Sequence, residues 1–559
     1  MISSQNLLIA IRRNRAFMYL YAQYALLMCS NDDMIDEEYI TCKGGERFRR
    51  ITRNIPYSSF ESFFDKVENR GIILESAEIA PIYGRLSLIL IDPPLQLKGK
   101  DERFEIIALN KRGKNILRLL DESLFGYASD LRVREDSITG YVERENRVVE
   151  EGRRFKQRNI SYVIRTFLDF FASEDPFLGL YGAFSYDFVR LFEDIADLHE
   201  DEGIPDFNLF MPDFIVYFNH LKEHAEIILY DFHDFDVPAD EYFALRSAEA
   251  AGEQRVRSKR ARVRGSVRRG IVTRREYEEM VERAKEEMRK GEIFEIVLSH
   301  SRYFKVSKAP IEIYRKFRTI NPSPYLFYVN FGDECLVGAS PEMFLRVEHG
   351  VVQTRPISGT IERGENPIED YEKMMQLLNS RKEKSELDML IDLARNDIAR
   401  VCKPGVEVRD YRFVEKYSAV MHTVAHVEGM LDTAKFEPFD AFIVSLNAGT
   451  LTGAPKIAAM NLIERFEHKR RGYYGGNVGY ITFSGNLDFG IIIRTAYIRD
   501  GIAEIRVGAT ILYDSQPESE WRETMNKGRA FFKIIEDMGG IEDGEGEDED
   551  EEEAQDIHG

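Results

Sequence analysis

Short apolar runs bounded by turn residues dominate the first half of the chain. Residues 85–93 (RLSLILIDP) form a β-rich run stopped by Pro93 and Pro94, and residues 104–109 alternate into a second strand. Residues 214–217 and 225–230 read as two strands on either side of a polar turn. The pattern then breaks at residues 254–269 (QRVRSKRARVRGSVRR), a basic stretch that reads as an interdomain linker in preference to an anion-binding patch. Beyond it, residues 273–290 take helical spacing, and a Thr-x-x-Glu start makes Glu276 a capping-box acceptor. Strands follow at 294–298 and 325–330. One long helix is expected over 371–402, with apolar positions at Met374, Leu377, Leu378, Leu390 and Leu393, and a last helix over 454–466. This mixture predicts an α+β fold built on antiparallel sheets, with no internal repeat visible.

Charge and cysteine usage narrow the function. A formal net charge of −21 over 559 residues argues against nucleic acid as the main partner. Part of that charge sits in the acidic run 542–556, which reads as a disordered tail. The four cysteines, Cys29, Cys42, Cys335 and Cys402, include no C-x-x-C pair. That excludes a disulfide framework and a zinc signature, and it points to a reducing cytoplasm. Residues 16–29 follow Arg12, Arg13 and Arg15 but are broken by Gln23 and too short to span a bilayer, so a packed N-terminal helix is expected and no membrane association.

Candidate chemistry begins with two acidic pairs, Glu383 with Glu386 and Glu520 with Glu523. A spacing of three puts each pair on one helix face. Brought together, the four carboxylates suit a hard cation such as Mg2+; taken singly, each pair is more often a solvated face. Residues 447–456 (NAGTLTGAPK) place two glycines and two hydroxyls, one of them Thr450, ahead of a helix whose early Pro455 suits its first turn. Helix N-termini favour carboxylates or phosphates, and no Walker-type phosphate loop is present. Tyr474 beside two glycines, Arg494, the run Gly508, Ala509 and Thr510, and Lys527 add accessible backbone, a fork donor and a point charge. Arg494 lies in an apolar strand (GIIIRTAYI), where a guanidinium needs either a ligand carboxylate or a structural salt bridge. His422 and His426 alternate with Val420 and Val424, too far apart along a strand to clamp one zinc. A single neutral imidazole there fits general acid–base work or an ordinary core histidine.

Taken in order, several strings resemble the chorismate-utilising enzymes, most closely the anthranilate synthase large-subunit branch that is fused to a glutamine amidotransferase. They are GEIFE (291–295), NPSPY (321–325), GASPE (338–342), PISGT (356–360), DLARND (392–397), the loop 450–456, YGG (474–476) and Glu520-x-x-Glu-Thr524, with fainter matches at ILES (73–76), GRLS (84–87), DPPL (92–95) and ALNKRG (108–113). The resemblance implies large antiparallel sheets packed as a sandwich with helices outside. It also implies an N-terminal regulatory lobe (1–252), a linker (253–270), a catalytic domain (271–538) and a tail (539–559). Glu386 and Glu523 would ligate Mg2+ directly, with Glu383 and Glu520 acting through water. Arg494, Lys527 and the backbone of 508–510 would take the enolpyruvyl carboxylate, Tyr474 would line the pocket, His422 would be the acid–base group assisting departure of the ring hydroxyl, and Thr450 would orient that hydroxyl.

The implied reaction is chorismate plus ammonia to anthranilate and pyruvate, the first step of tryptophan synthesis, with ammonia supplied by a glutaminase small subunit or from solution. Feedback inhibition by tryptophan is implied through Glu75, Ser76, Pro324, Tyr325 and Leu326, the last standing where the family usually has Met. Ser358 and Glu295 stand where aminodeoxychorismate synthases and isochorismate synthases, respectively, carry a lysine, which favours ammonia as nucleophile. Alternatives are an aminodeoxyisochorismate synthase of the phenazine type and an aminodeoxychorismate synthase. Many family members read Gly-x-Gly where this chain has Gly508-Ala-Thr510. Oligomeric state, homomeric or heteromeric, stays open.

Overall fold

The computed structural model describes residues 35–76, 86–145, 151–233, 235, 237–252, 271–416 and 420–542. The expected N-terminal helix and basic linker, and the tail beyond 542, lie outside the described residues. Among the described residues no helix is long and apolar enough to cross a membrane.

Among the described residues, two 13-stranded antiparallel sheets carry the fold. In the first, consecutive residues point to opposite faces, and both faces are buried. Ile72, Leu88, Leu90, Val329 and Leu336 face the second sheet in the largest apolar cluster. Their neighbours Ile73, Ile89, Tyr328 and Val337 face outward under helices Pro310–Ile320 and Pro517–Asp537. Period-two burial on both faces explains why these strands read as near-continuous apolar runs. A third cluster packs helices Arg274–Lys290 and Lys456–Phe466 on strand Glu295–Lys305. The result is an α+β sandwich with helices outside, as expected.

The strand order reveals an internal repeat that the sequence hides. Strand Arg47–Ile55, helix Tyr57–Val67 and strands Gly71–Glu75, Leu86–Ile91, Leu95–Lys100 and Arg103–Ala108 follow one path. Strand Glu295–Lys305, helix Pro310–Ile320 and strands Tyr325–Asn330, Glu334–Ser340, Met343–Glu348 and Val351–Thr354 follow the same path. Gly179–Phe184, Phe207–Met211, Phe214–Asn219 and His224–Asp231 then correspond to Asn477–Thr482, Leu487–Ile491, Thr495–Arg499 and Ile502–Ile511. Each sheet reads outward in mirrored order from a central pair, Gly71–Glu75 with Tyr325–Asn330 in one and Gly179–Phe184 with Asn477–Thr482 in the other. The stretches 1–252 and 271–538 are therefore joined through both sheets.

Each repeat passes between the sheets at two matching points, and the second also visits the first sheet briefly at Gly453–Ala454. In the first repeat, the crossings at 92–94 and 212–213 lie side by side, and Arg112 bonds both Asp92 and Asp213 at 2.6 Å. In the second, the crossings at 341–342 and 492–494 also adjoin: Ile491 N donates to Glu342 O at 3.1 Å and Ala339 N to Arg494 O at 3.2 Å. Three local expectations change. The long helix over 371–402 is two helices, Pro367–Asn379 and Arg381–Ala399, split at Ser380, whose hydroxyl accepts from Glu383 N at 3.2 Å as an N-cap. The last helix begins at Lys456, because Gly453–Ala454 pairs with Glu295 and Ile296 as a short strand and Pro455 becomes the N-cap. Within the expected tail, Ile541–Glu542 adds to strand Glu295–Lys305, and Glu542 pairs with Arg302.

Candidate active site

Two helices bring four carboxylates to one cleft. Glu383 and Glu386 lie in the first two turns of Arg381–Ala399, and Glu520 and Glu523 in the first two turns of Pro517–Asp537. Helix N-termini favour negative charge there. Burial raises the Glu386 carboxyl, and Glu383 and then Glu523 across the cleft raise it further. Burial likewise raises Glu383 and Glu520, with Glu523 adding to each. Among the described residues, only Lys382, 3.8 Å from Glu386, and Lys527, 2.7 Å from Glu523, offset this charge as ion pairs. Among the described residues no three acidic, histidine or cysteine groups are close enough to hold a metal by themselves. Mg2+ commonly takes one or two protein carboxylates and keeps water and substrate oxygens for the rest, so an all-oxygen, mutually repelling set at this looser spacing fits it.

His422 lies on strand Val420–Met430, opposite Thr360 of strand Ile357–Glu362. Its Nδ1 stands 3.1 Å from the Gly359 carbonyl and 3.0 Å from Thr360 Oγ1. A carbonyl only accepts, so Nδ1 carries the proton and Nε2 the lone pair. Burial, then Arg494, and more weakly Lys527, push this imidazole down to about 4, which leaves it neutral near pH 7. Gly359 also borders the carboxylates: at its φ of 69°, an added Cβ would sit 2.5 Å from Glu383 Oε2. His426 stands apart, beside Asp410 and Glu428 at 3.9 and 3.8 Å.

Arg494 does not lie inside a strand. It occupies the crossing between Leu487–Ile491 of one sheet and Thr495–Arg499 of the other, in a left-handed conformation with φ 49°. Uniform apolar flanks concealed that crossing, since both sheets bury both neighbours. Burial depresses the guanidinium, and no carboxylate among the described residues forms a salt bridge with it. Left-handed non-glycine residues cost on the order of 1 kcal/mol and cluster at functional sites.

Beyond the Ala496–Ile505 pair, strand Ile502–Ile511 leaves its neighbour Thr495–Arg499 and stays paired only with Glu295–Lys305. Lys527 Nζ donates to the freed Gly508 carbonyl at 3.1 Å. A Cβ on Gly508 would lie 2.6 Å from the Tyr474 hydroxyl and 2.8 Å from Leu298 O, so glycine admits the tyrosine. Thr510 shares the Gly508 side of the strand. The Ala509 methyl instead joins the apolar cluster under Arg274–Lys290, which leaves only its backbone for the cleft.

Sequence reading gave Glu342 no role in the site and used Glu295 only as a mark against the isochorismate synthases. Glu342 sits at the other crossing, where burial pushes its carboxyl up to about 8 against the pull of the Thr450 hydroxyl and Lys527. Thr450 Oγ1 is buried and makes no well-formed hydrogen bond among the described residues. Glu342 and Thr450 share a cavity with Leu393, Asp397, Ala448 and Ile491. Glu295 is 2% exposed with an unpartnered Oε2, and burial with Glu386 nearby pushes it up to about 8. Ser358 Oγ donates to Glu386 Oε2 at 3.1 Å. The strings GASPE and GEIFE held the signal, but a lone glutamate in a run reveals its burial only in three dimensions.

Glu75, Ser76, Pro324, Tyr325 and Leu326 meet at the central pair of the first sheet. Ser76 Oγ donates to Pro324 O at 3.1 Å. The Glu75 carboxylate is held by Tyr314 Oη and Arg318 Nη2, both at 2.6 Å. Leu326 points with Glu75 toward the helices, whereas Tyr325 points between the sheets, where its hydroxyl donates to Asp488 at 2.8 Å.

A family profile described as chorismate binding enzyme matches residues 123–533. The chain belongs to the chorismate binding enzyme family. It is 34% identical over 528 residues to anthranilate synthase from Azospirillum brasilense, covering 92% of this chain and 70% of that one. It is 35% identical over 484 residues to anthranilate synthase component 1 from Aquifex aeolicus, covering 83% and 96%. The structure of anthranilate synthase component I from Streptococcus pneumoniae superposes with TM-score 0.60 at 29% identity, over 81% of this chain and 93% of that one. The menaquinone-specific isochorismate synthase of Escherichia coli, at 15% identity and TM-score 0.61 over 93% and 99%, shares the fold. Family membership makes this cleft, with its facing acidic and basic walls, the candidate chorismate site.

Proposed function

We propose that the chain is the aminating lyase of anthranilate synthesis, converting chorismate and ammonia to anthranilate, pyruvate and water. The observation that carries this reading is the pairing of two walls: Glu383, Glu386, Glu520 and Glu523 on one side, Arg494, Lys527 and neutral His422 on the other. A dianionic substrate needs positive partners at both ends. Arg494 and Lys527, with backbone at 508–510, supply one. Mg2+ held by Glu386 and Glu523, with Glu383 and Glu520 acting through water, would supply charge neutralisation at the ring carboxylate.

Ammonia adds to the ring as the ring C–O bond breaks. Glu342, held protonated, takes the acid role expected of His422, which is neutral and has no proton on Nε2 to give. It donates to the departing hydroxyl, which leaves as water, and Thr450 aligns that hydroxyl. The new ammonium sheds one proton, giving aminodeoxyisochorismate. In the second half, Nε2 of His422 accepts the ring proton at the aminated carbon while the ring C–O bond to the enolpyruvyl group breaks, which aromatises the ring. The departing enolate takes one proton from solvent at its methylene carbon and becomes pyruvate. Ser358, tied to Glu386, offers no amine to attack the ring, which supports ammonia as the nucleophile. The ammonia comes from solution or from a glutaminase partner.

Tryptophan inhibition is supported by the contact of Ser76 with Pro324, and by the Tyr325 ring lying across Gly490, whose strand leads into Arg494. A cytoplasmic setting is supported by free thiols at Cys42, Cys335 and Cys402. Incubating the chain with chorismate, Mg2+ and ammonium, without a partner, tests the assignment. Blue-fluorescent anthranilate with stoichiometric pyruvate is expected. A non-aromatic amine without pyruvate would make it an aminodeoxyisochorismate synthase, and binding without turnover would remove the catalytic reading.

A further inference from the structure

The helix that carries Glu520 and Glu523 is held from behind by a histidine that touches neither substrate nor carboxylate. His300, on strand Glu295–Lys305, is 1% exposed. Its Nε2 stands 2.8 Å from Thr524 Oγ1, and that hydroxyl lies 2.8 Å from the Trp521 carbonyl. The single hydroxyl hydrogen goes to the carbonyl, so the oxygen accepts from His300 Nε2–H. The imidazole also stacks on the Trp521 indole, with ring centroids 4.5 Å apart and planes 18° apart. Tyr277, from helix Arg274–Lys290, closes the cluster at 5.2 Å from His300 and 5.7 Å from Trp521. His300 Nδ1 is buried with no partner among the described residues, an expense that ordinary packing would not retain.

Trp521 and Thr524 are each one residue past a carboxylate in the sequence Glu520-Trp-Arg-Glu523-Thr. Each helical residue turns the side chain by about 100°. Fixing the azimuth of Trp521 and Thr524 therefore fixes that of Glu520 and Glu523. We propose that His300 is a positioning residue that sets the rotation and depth of this helix, through Thr524 and Trp521, so that Glu520 and Glu523 face the cation site. The proposal rests on the reading that these carboxylates hold a divalent cation.

Trp521 is the only tryptophan in the chain, so its emission reports on this cluster alone. The test titrates Mg2+ into the full chain, following Trp521 emission and, separately, the Mg2+ dependence of anthranilate formation. In the wild type, emission is expected to change with the same Mg2+ midpoint as activity. A neutral hydrogen bond is worth about fivefold in an equilibrium constant. Thr524→Val, which keeps the side chain's shape but removes both the acceptor for His300 and the donor to the Trp521 carbonyl, is expected to raise both midpoints at least about fivefold while turnover at saturating Mg2+ stays within about twofold, and Thr524→Ser is expected to restore the midpoints. A wild-type midpoint in Thr524→Val, or a Thr524→Ser variant equally impaired, overturns the inference. Should Thr524→Val fail to fold, His300→Gln, whose amide reaches the same hydroxyl, is compared with His300→Leu; equal midpoints overturn it. Turnover that needs no divalent cation removes the metal reading and this inference with it, whereas Mg2+-dependent turnover with unmoved variants removes the inference alone.

Discussion

At the scale of single residues, neighbours fix which protonation state each group holds. His422 is neutral because burial and Arg494 oppose its charge, and its proton is pinned on Nδ1 by Gly359 O. His422→Ala is therefore expected to cut anthranilate formation by about a hundredfold or more, the usual worth of a positioned base, while Mg2+-dependent chorismate binding changes little. The non-aromatic amine should accumulate; chromatography of the products and calorimetry of binding check both halves. Glu342 behaves oppositely. Its folded pKa, about 8, lies above the ordinary glutamate value of 4.5, so the folded state holds the proton more tightly. Its contribution to stability is complete below about pH 4.5 and is lost as pH rises through about 8. The melting temperature of ligand-free protein is expected to fall over that window, and Glu342→Gln should flatten the fall in thermal melts. Gly508→Ala would press a methyl against Tyr474 and, at 2.8 Å, against the immovable Leu298 carbonyl. Overpacking of this kind costs about 1–3 kcal/mol, and with Gly508 in its proposed place beside chorismate, chorismate KM should rise more than kcat falls.

Elements show where sequence reading succeeds and where it stops. Local signals sufficed for helix Arg274–Lys290, whose Thr273 and Glu276 make both capping-box bonds, and for strand Tyr325–Asn330, which has the expected bounds. They failed where two elements meet. The single helix expected over 371–402 ran through the break at Ser380, because the wholly polar stretch 379–386 carries no apolar period that could mark it. Arg494 was legible as an expensive buried cation, and its position at a sheet crossing was not. The acidic pairs were legible because a spacing of three has meaning within one helix; their convergence depends on two helices distant in sequence. Ser380 matters to that convergence, since its hydroxyl caps Glu383 N and so starts the helix that carries Glu383 and Glu386. Ser380→Ala is expected to cost about 1 kcal/mol of stability, read by chemical denaturation, and to weaken Mg2+ activation.

Across the whole molecule, the duplicated path explains the location of the site. Both repeats cross between sheets at paired points. In the first repeat, Asp92 and Asp213 close that point around Arg112, and Asp213 also binds Arg246 at 2.9 Å. In the second, the matching point holds Glu342 and Arg494, which form no salt bridge with each other among the described residues, and Glu342 shares a cavity with Leu390 and Leu393 of the helix that carries Glu383 and Glu386. One crossing is closed by its own ions; in the proposed function its counterpart takes its counter-ions from the substrate. The same architecture bears on whether residues 271–538 stand alone as a catalytic unit. Removing 1–252 would strip Gly71–Glu75 from Tyr325–Asn330 and Gly179–Phe184 from Asn477–Thr482, baring two central strands and half of the apolar cluster between the sheets. Long exposed edges of this kind template aggregation. The fragment 271–542 expressed alone is therefore expected to be insoluble or to lack a cooperative melt, while co-expression with 1–252 restores a soluble complex. A soluble, cooperatively melting fragment with Mg2+-dependent turnover would mean that the shared sheets are dispensable and that the catalytic half carries its own stability.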